Sequence, residues 1–213
     1  IGVAGVAYNS RIVPVRVGTG SLFSFTDMAA GIHWVINNNA ADIITLSAGS
    51  IGVFDQTVTD AINSATTNGR NNLGIPFISI TQNDSDDVIA FPASLPNVIA
   101  VGSVNNNGNR ASTSNYGTGI DVVAPGVCIY TTDLTGGAGQ TNWDYWTCFS
   151  GTSAAAPQVA GVAALVLSIN ASLTSQQVRN IIESTADKVG GVTYTFGAGE
   201  QVGLTWNNQM GYG

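Results

Sequence analysis

Charge is what this 213-residue chain lacks most. Charged residues make up 9% of it, against about 25% in ordinary globular domains, so Asn, Ser, Thr and Gly must clothe much of its surface. What charge there is runs acidic: six Lys and Arg against thirteen Asp and Glu, a net charge of −7. That balance repels phosphate backbones and anionic lipid, and it predicts neither nucleic acid nor membrane as a partner. Long hydrophobic runs are missing too. The longest, around residues 159–167, is too short to cross a bilayer. No secretory leader is visible and the chain opens on Ile1, which predicts a processed, nicked or truncated product. Histidine is scarcest of all, with His33 alone. The two cysteines, Cys128 and Cys148, have none of the neighbouring His or Cys that a zinc site needs. They are either two free buried thiols or a disulfide across a Gly-rich loop, and the disulfide would imply an oxidising, extracytoplasmic setting.

What is present suits a single large domain. Hydrophobic residues make up 44% of the chain, ample for a core, and no repeat or long linker divides residues 1–213. Short apolar runs alternate with helical patterns. The runs RIVPVRV (11–17), DIITLS (42–47), IPFISI (75–80), NVIAVGSV (97–104) and IDVVAP (120–125) predict strands. Helices are predicted over 26–39, capped by Thr26, and over 55–69, stopped by Gly69. Two more follow over 152–169 and 174–186, the last with a Thr174/Gln177 capping box. Nearly continuous apolar strands between helices predict an α/β fold of three layers, a mostly parallel sheet covered on both faces. Such sheets carry their sites at the carboxyl ends of the strands, where the Asn- and Asp-rich stretch after Ile80 falls.

The stretch FSGTSAAAPQVAGVAALVL (149–167) sets Ser153 between a Gly-containing turn and a long apolar helix. Gly151 permits a tight turn there, and the first-turn amides of a helix favour the negative charge of an oxyanion. The context G-T-S-A is not the G-x-S-x-G elbow of the α/β-hydrolases. Taken alone, the motif fits a serine that merely caps a core helix.

Together with DVVAPG (121–126) and FPASLPNVIAVGSV (91–104), the Ser153 stretch resembles the subtilisin-like serine proteases, the subtilases, in one consistent order along the chain. The resemblance implies Ser153 as nucleophile and Asn83 as side-chain donor to the oxyanion. It implies that Ser47, Ala48 and Gly49 form the strand that pairs with substrate backbone, and that Phe91 to Ser94 wall the specificity pocket. Thr81 and Gln82 stand where the family usually has Ala-Gly, so a narrower or more polar pocket is expected. Gln158 stands where relatives often carry a non-catalytic histidine.

The family's catalytic aspartate and histidine precede its nucleophile, and the matching segments D-x-G and H-G-T are absent here. His33, inside a helical pattern beside Trp34 and off its apolar stripe, reads as structural. The resemblance therefore implies a single catalytic domain over 1–213 that corresponds to the C-terminal two-thirds of the family's, with an incomplete sheet. The missing segment is expected as a separate partner chain. Protein or peptide substrates, a secreted location and no required cofactor are implied with it. Calcium remains possible as a structural ion: Asp84, Asp86 and Asp87 form an acidic loop, Asp121 falls near a weak cation site of some relatives, and Ile1 to Val3 resemble the tail of a calcium loop. The apparent secreted family also favours a Cys128–Cys148 bridge. Relatives further imply a cis Phe91–Pro92 bond, although only about 5–6% of X–Pro bonds in folded proteins are cis. The rival function is a pseudoprotease that grips extended peptides along SAG (47–49) without cleaving them.

Overall fold

The computed structural model describes residues 3–19, 22–199 and 201–213. Its centre is a four-stranded, wholly parallel sheet of β3 (Ile44–Leu46), β4 (Phe77–Ile80), β5 (Ile99–Val104) and β6 (Val122–Pro125), in that order. Two short strands precede it, β1 (Gly18–Thr19) and β2 (Leu22–Phe23), paired antiparallel. The register sets Ile44 beside Phe77, Ile78 beside Ile99 and Val101 beside Val122. β4 and β5 are buried along their whole length, as strands covered on both faces must be.

Alternation along the strands supplies the two covers. On one face Ile78, Ile80, Ile99, Val101, Val122 and Ala124 meet α3 (Thr152–Ile169) and α4 (Ser175–Thr185). On the other, Phe77 and Val98 meet α1 (Phe25–Asn37) and α2 (Gln56–Asn72). The result is the predicted three-layer α/β arrangement. α3 is long and apolar enough, by length and composition, to cross a membrane once its polar residues are counted with its apolar run. Its side chains Ala155, Ala156, Val159, Ala163 and Leu167 are buried on the sheet instead.

Helix ends follow local chemistry. Thr174 accepts from the Gln177 N–H while the Gln177 side chain accepts from the Thr174 N–H, completing the predicted capping box of α4. The N-cap of α1 lies two residues earlier than expected: Ser24, not Thr26, takes it, accepting from the Asp27 N–H. α2 loses helical geometry at Gly69, where a Cβ would lie 2.5 Å from Ile75 Cγ1. Arg70, Asn71 and Asn72 then take positive φ, and the buried Arg70 guanidinium donates to the carbonyls of Gly74, Ala171 and Leu173. These bonds tie the end of α2 to the loop before α4.

Residues 11–17 do not form the predicted strand. The segment belongs to no sheet and is largely exposed, with Ile12 at 90% exposure. Its β-branched pattern suits a pleated surface, but a ladder needs a neighbour, and among the described residues β3 pairs with β4 alone. Side-chain packing still holds the segment against α1: a Cβ on Gly31 would meet Val15 Cγ1 at 2.8 Å. A second departure is a hairpin inside the Gly-rich loop, β7 (Ile129–Thr132) against β8 (Tyr145–Phe149), antiparallel. Cys128 and Cys148 are joined in a disulfide across its base, and no free cysteine remains. The chain closes through β9 (Thr195–Phe196) and β10 (Thr205–Trp206), an antiparallel pair.

Candidate active site

α3 begins without a side-chain cap, because its N-cap is Gly151. Gly151 sits at φ 125°, a region that L side chains rarely adopt, and its N–H donates to Gly126 O at 2.8 Å. A Cβ at Gly151 would also stand 3.2 Å from Asn83 Oδ1. The next residue makes the decisive contact. Thr152 N–H donates to Asn83 Oδ1 at 2.8 Å, and the buried Thr152 hydroxyl donates to the same oxygen at 3.1 Å. A backbone N–H can only donate, so the Asn83 atom facing it must be oxygen. The amide nitrogen Nδ2 is thereby left as a donor without a protein acceptor among the described residues.

Ser153 follows directly, half-buried in the first turn of α3, where its own N–H has no intrahelical acceptor. Its carbonyl accepts from Ser47 Oγ at 3.4 Å, which brings the end of β3 to the same place. Ser47, Ala48 and Gly49 thus lie beyond the carboxyl end of β3, and Thr81, Gln82 and Asn83 beyond that of β4, in the crevice where open parallel sheets bind ligands. Ser50 and Phe91 exchange backbone bonds, Ser50 N to Phe91 O at 2.9 Å and Phe91 N to Ser50 O at 3.0 Å. Phe91 is buried and its bond to Pro92 is cis, as expected. Asn83 Nδ2 and the Ser153 N–H are thus both donors at the start of α3, the type of group that can stabilise charge developing on an oxygen.

Among the described residues, no side chain makes a hydrogen bond to the Ser153 hydroxyl. His33 is exposed on α1, the opposite side of the sheet from α3. Nor do the acidic residues form a carboxylate cage for calcium: among the described residues no three His, Cys, Asp or Glu come together as a metal site. Asp84, Asp86 and Asp87 are exposed, and the N–H groups of Asp84 and Asp86 donate to Asn115 Oδ1, which shapes their loop. Asp121 is buried and already engaged, accepting from Arg179 Nη2 and from the Ala100 N–H, each at 2.6 Å. Ile1 and Gly2, part of the supposed calcium-loop tail, lie outside the described residues.

Residues 1–213 match the profile of the Subtilase family along their whole length. The chain belongs to that family. It is 38% identical over 200 residues to subtilisin Savinase of Lederbergia lenta, covering 93% of this chain and 68% of that protein. Against alkaline elastase YaB of Bacillus sp. (strain YaB) the identity is again 38%, over 93% of this chain and 49% of the relative, so the chain spans about half of that protein's length. Among solved structures, a protease from Pseudoalteromonas arctica superposes with a TM-score of 0.77 at 35% identity, covering 90% of this subtilase and 60% of that chain. A cold-adapted subtilisin-like serine proteinase superposes at 0.70 with 29% identity, over 96% and 70% of the two chains.

Three features of the site escaped the sequence reading. The Thr152–Asn83 clamp joins residues 69 positions apart, and no local pattern announces it. The Gln158 amide donates to Pro125 O at 2.6 Å and Ala154 O at 2.9 Å, fastening α3 to the end of β6. Gln82 reaches across the crevice to donate to Gly49 O at 3.0 Å; its substitution for glycine was visible, but not the direction of its side chain.

Proposed function

We propose that this subtilase chain carries the acyl-accepting half of a serine endopeptidase, and that a separate segment supplies the base. Ser153 Oγ attacks the scissile carbonyl and passes its proton to that base. The carbonyl oxygen becomes an oxyanion held by Asn83 Nδ2 and the Ser153 N–H, and collapse expels the amine to leave an acyl-enzyme that water then hydrolyses. The observation that carries this reading is the clamp of Thr152 N–H on Asn83 Oδ1, which frees the amide nitrogen at the serine. Secretion, and protein or peptide substrates, accompany the reading.

A separate completing segment is supported by three surfaces. The outer edge of β3 has no ladder partner among the described residues. Residues 11–17 form no strand and are largely exposed. On α3, Val162, Leu165 and Ile169 are exposed, the last at 89%. Unpaired edges and uncovered apolar residues of this kind favour pairing with another chain. The segment expected there carries the family's catalytic Asp and His.

The test is covalent labelling with a fluorophosphonate, first on the 213-residue chain alone and then with a polypeptide carrying D-x-G and H-G-T. Labelling of Ser153 should be slow alone and fast in the mixture. Rapid stoichiometric labelling of the isolated chain would show that the base lies within it. Binding of extended peptides by the mixture, with no labelling at all, would instead establish the non-cleaving, peptide-gripping function.

A further inference from the structure

Gln82 is the one residue in the crevice whose backbone and side chain are both unusual. Its φ is 91°, a region in which a side-chain-bearing residue is strained and glycine is not. Strain of this sort persists where the surroundings impose it, and it clusters at ligand sites. Here the surroundings are identifiable. The Gln82 carbonyl accepts from the Asn115 N–H at 3.0 Å, and the neighbouring Thr81 accepts from the Ala90 N–H while its hydroxyl donates to Asn115 O. With the backbone fixed on that side, the side chain leaves toward β3 and Nε2 donates to Gly49 O at 3.0 Å.

That bond bridges the two walls of the crevice, one position before Asn83 on one wall and two positions beyond Ser47 on the other. The far end has no slack either. A Cβ on Gly49 would lie 2.9 Å from Phe91 O and 3.5 Å from Ala90 Cβ, and the Ser50–Phe91 backbone bonds close the wall. On the endopeptidase reading, with Asn83 at the oxyanion, a substrate side chain lying between these two walls meets the Gln82 amide. A large group must break the Gln82–Gly49 bond and leave both polar groups unpaired in a partly buried site, a loss that a small side chain avoids. No charged side chain is among these walls to receive a charged substrate residue.

We propose that Gln82 is a specificity-determining residue that restricts the substrate residue on the acyl side of the scissile bond to small, uncharged side chains such as Gly, Ala or Ser. The inference rests on the endopeptidase reading above. Gln82→Gly is the natural test, because it removes the bridge and relieves the positive φ together, so folding is not endangered. Gln82→Met keeps the bulk and removes the donor, separating filling from bonding.

The assembled protease is assayed on peptides that differ only at that residue. The native protein should cleave after Ala in preference to Phe, and Gln82→Gly should raise kcat/KM for Phe relative to Ala by about tenfold or more, the scale at which a filled pocket discriminates. Gln82→Met, which fills the space but has no bond to lose, should show an Ala-to-Phe ratio between those of the native protein and Gln82→Gly. Binding of N-acetylated tetrapeptide acids ending in Ala or Phe, measured by calorimetry on the same assembly, reads the same ratio without turnover. A Phe preference in the native protein, or an Ala-to-Phe ratio unchanged in Gln82→Gly, overturns the inference while leaving the endopeptidase reading intact. A shifted binding ratio with no cleavage of any peptide overturns the endopeptidase reading and keeps the role of Gln82 in the crevice. Neither binding nor cleavage overturns both.

Discussion

One side-chain amide, that of Asn83, is held in a single orientation beside Ser153, and the proposed chemistry turns on it. Because Thr152 N–H holds Asn83 Oδ1, truncating Asn83 removes an oxyanion donor and also strands a helix N–H. Asn83→Ala should lower kcat of the assembled enzyme by about 10²–10³ with KM little changed, the effect such a deletion has in the relative subtilisin; a change confined to KM would place Asn83 in substrate binding only. Away from the crevice, Arg179 joins Asp121 to Glu183 in a buried cluster, with NH groups at 2.6 Å from each carboxylate and a further bond to Pro96 O. Two carboxylates against one guanidinium leave a surplus negative charge out of water. Burial, opposed by Arg179, lifts Asp121 to about 7, and Glu183 is raised for the same reason. The folded state thus holds a proton that the unfolded chain releases near 4, so stability falls as pH rises from about 4 to about 7 and is flat above. The slope reaches at most about 1.4 kcal/mol per pH unit. Thermal midpoints across that range should show the decline in the native protein and a shallower one in Asp121→Asn; equal slopes would contradict the assignment.

Elements whose signals are local were legible in the sequence, and those that depend on a distant partner were not. The capping box of α4, the bounds of α3 and the break of α2 at Gly69 each follow from residues within one or two turns. Every strand from β3 to β6 lies inside its predicted run, two residues shorter at the N-terminal end and, for β3 alone, one shorter at the C-terminal end. Residues 11–17 carry an equally good strand pattern and form none, because pattern describes a side chain's fit and pairing requires a neighbour. The β7–β8 hairpin was missed for the opposite reason: Thr, Gly and Asn dominate the intervening loop, and its strands are half-exposed, so no apolar alternation marks them. At the site, the family resemblance pointed to Ser153, Asn83 and residues 47–49, which the structure brings together at the carboxyl ends of β3 and β4, whereas the bridge from Gln82 to Gly49 depends on a backbone conformation that no string of letters displays. The disulfide belongs to this scale. It closes a 20-residue separation, worth about 3 kcal/mol in the chain-entropy model. Replacing both cysteines by serine should lower the unfolding midpoint by roughly 6–12 °C, and reduction of the native protein should match it; no change on either treatment would mean that the hairpin is held by its ladder alone.

The whole molecule presents finished and unfinished sides. β4 and β5 are enclosed, and at the β6 edge the Val123 N–H donates to Gly213 O, while the β3 edge, residues 11–17 and the outer face of α3 meet solvent with apolar groups. The isolated chain is expected to self-associate or to unfold without a sharp transition, and to become monodisperse and cooperative when the completing polypeptide is added. Light scattering and calorimetry before and after mixing check this; a soluble, cooperatively melting monomer of the chain alone would show that these surfaces need no cover. The clamp between Thr152 and Asn83 has a consequence for how such an assembly behaves. On the proposed reading, the donors that stabilise negative charge belong to this polypeptide and the proton acceptor to the completing one. Hydrolysis would then respond to its counterpart as a two-component reagent does, rising with added counterpart to a plateau at equimolar mixture. The sharpness of that titration would report the affinity between the pieces, independently of any substrate.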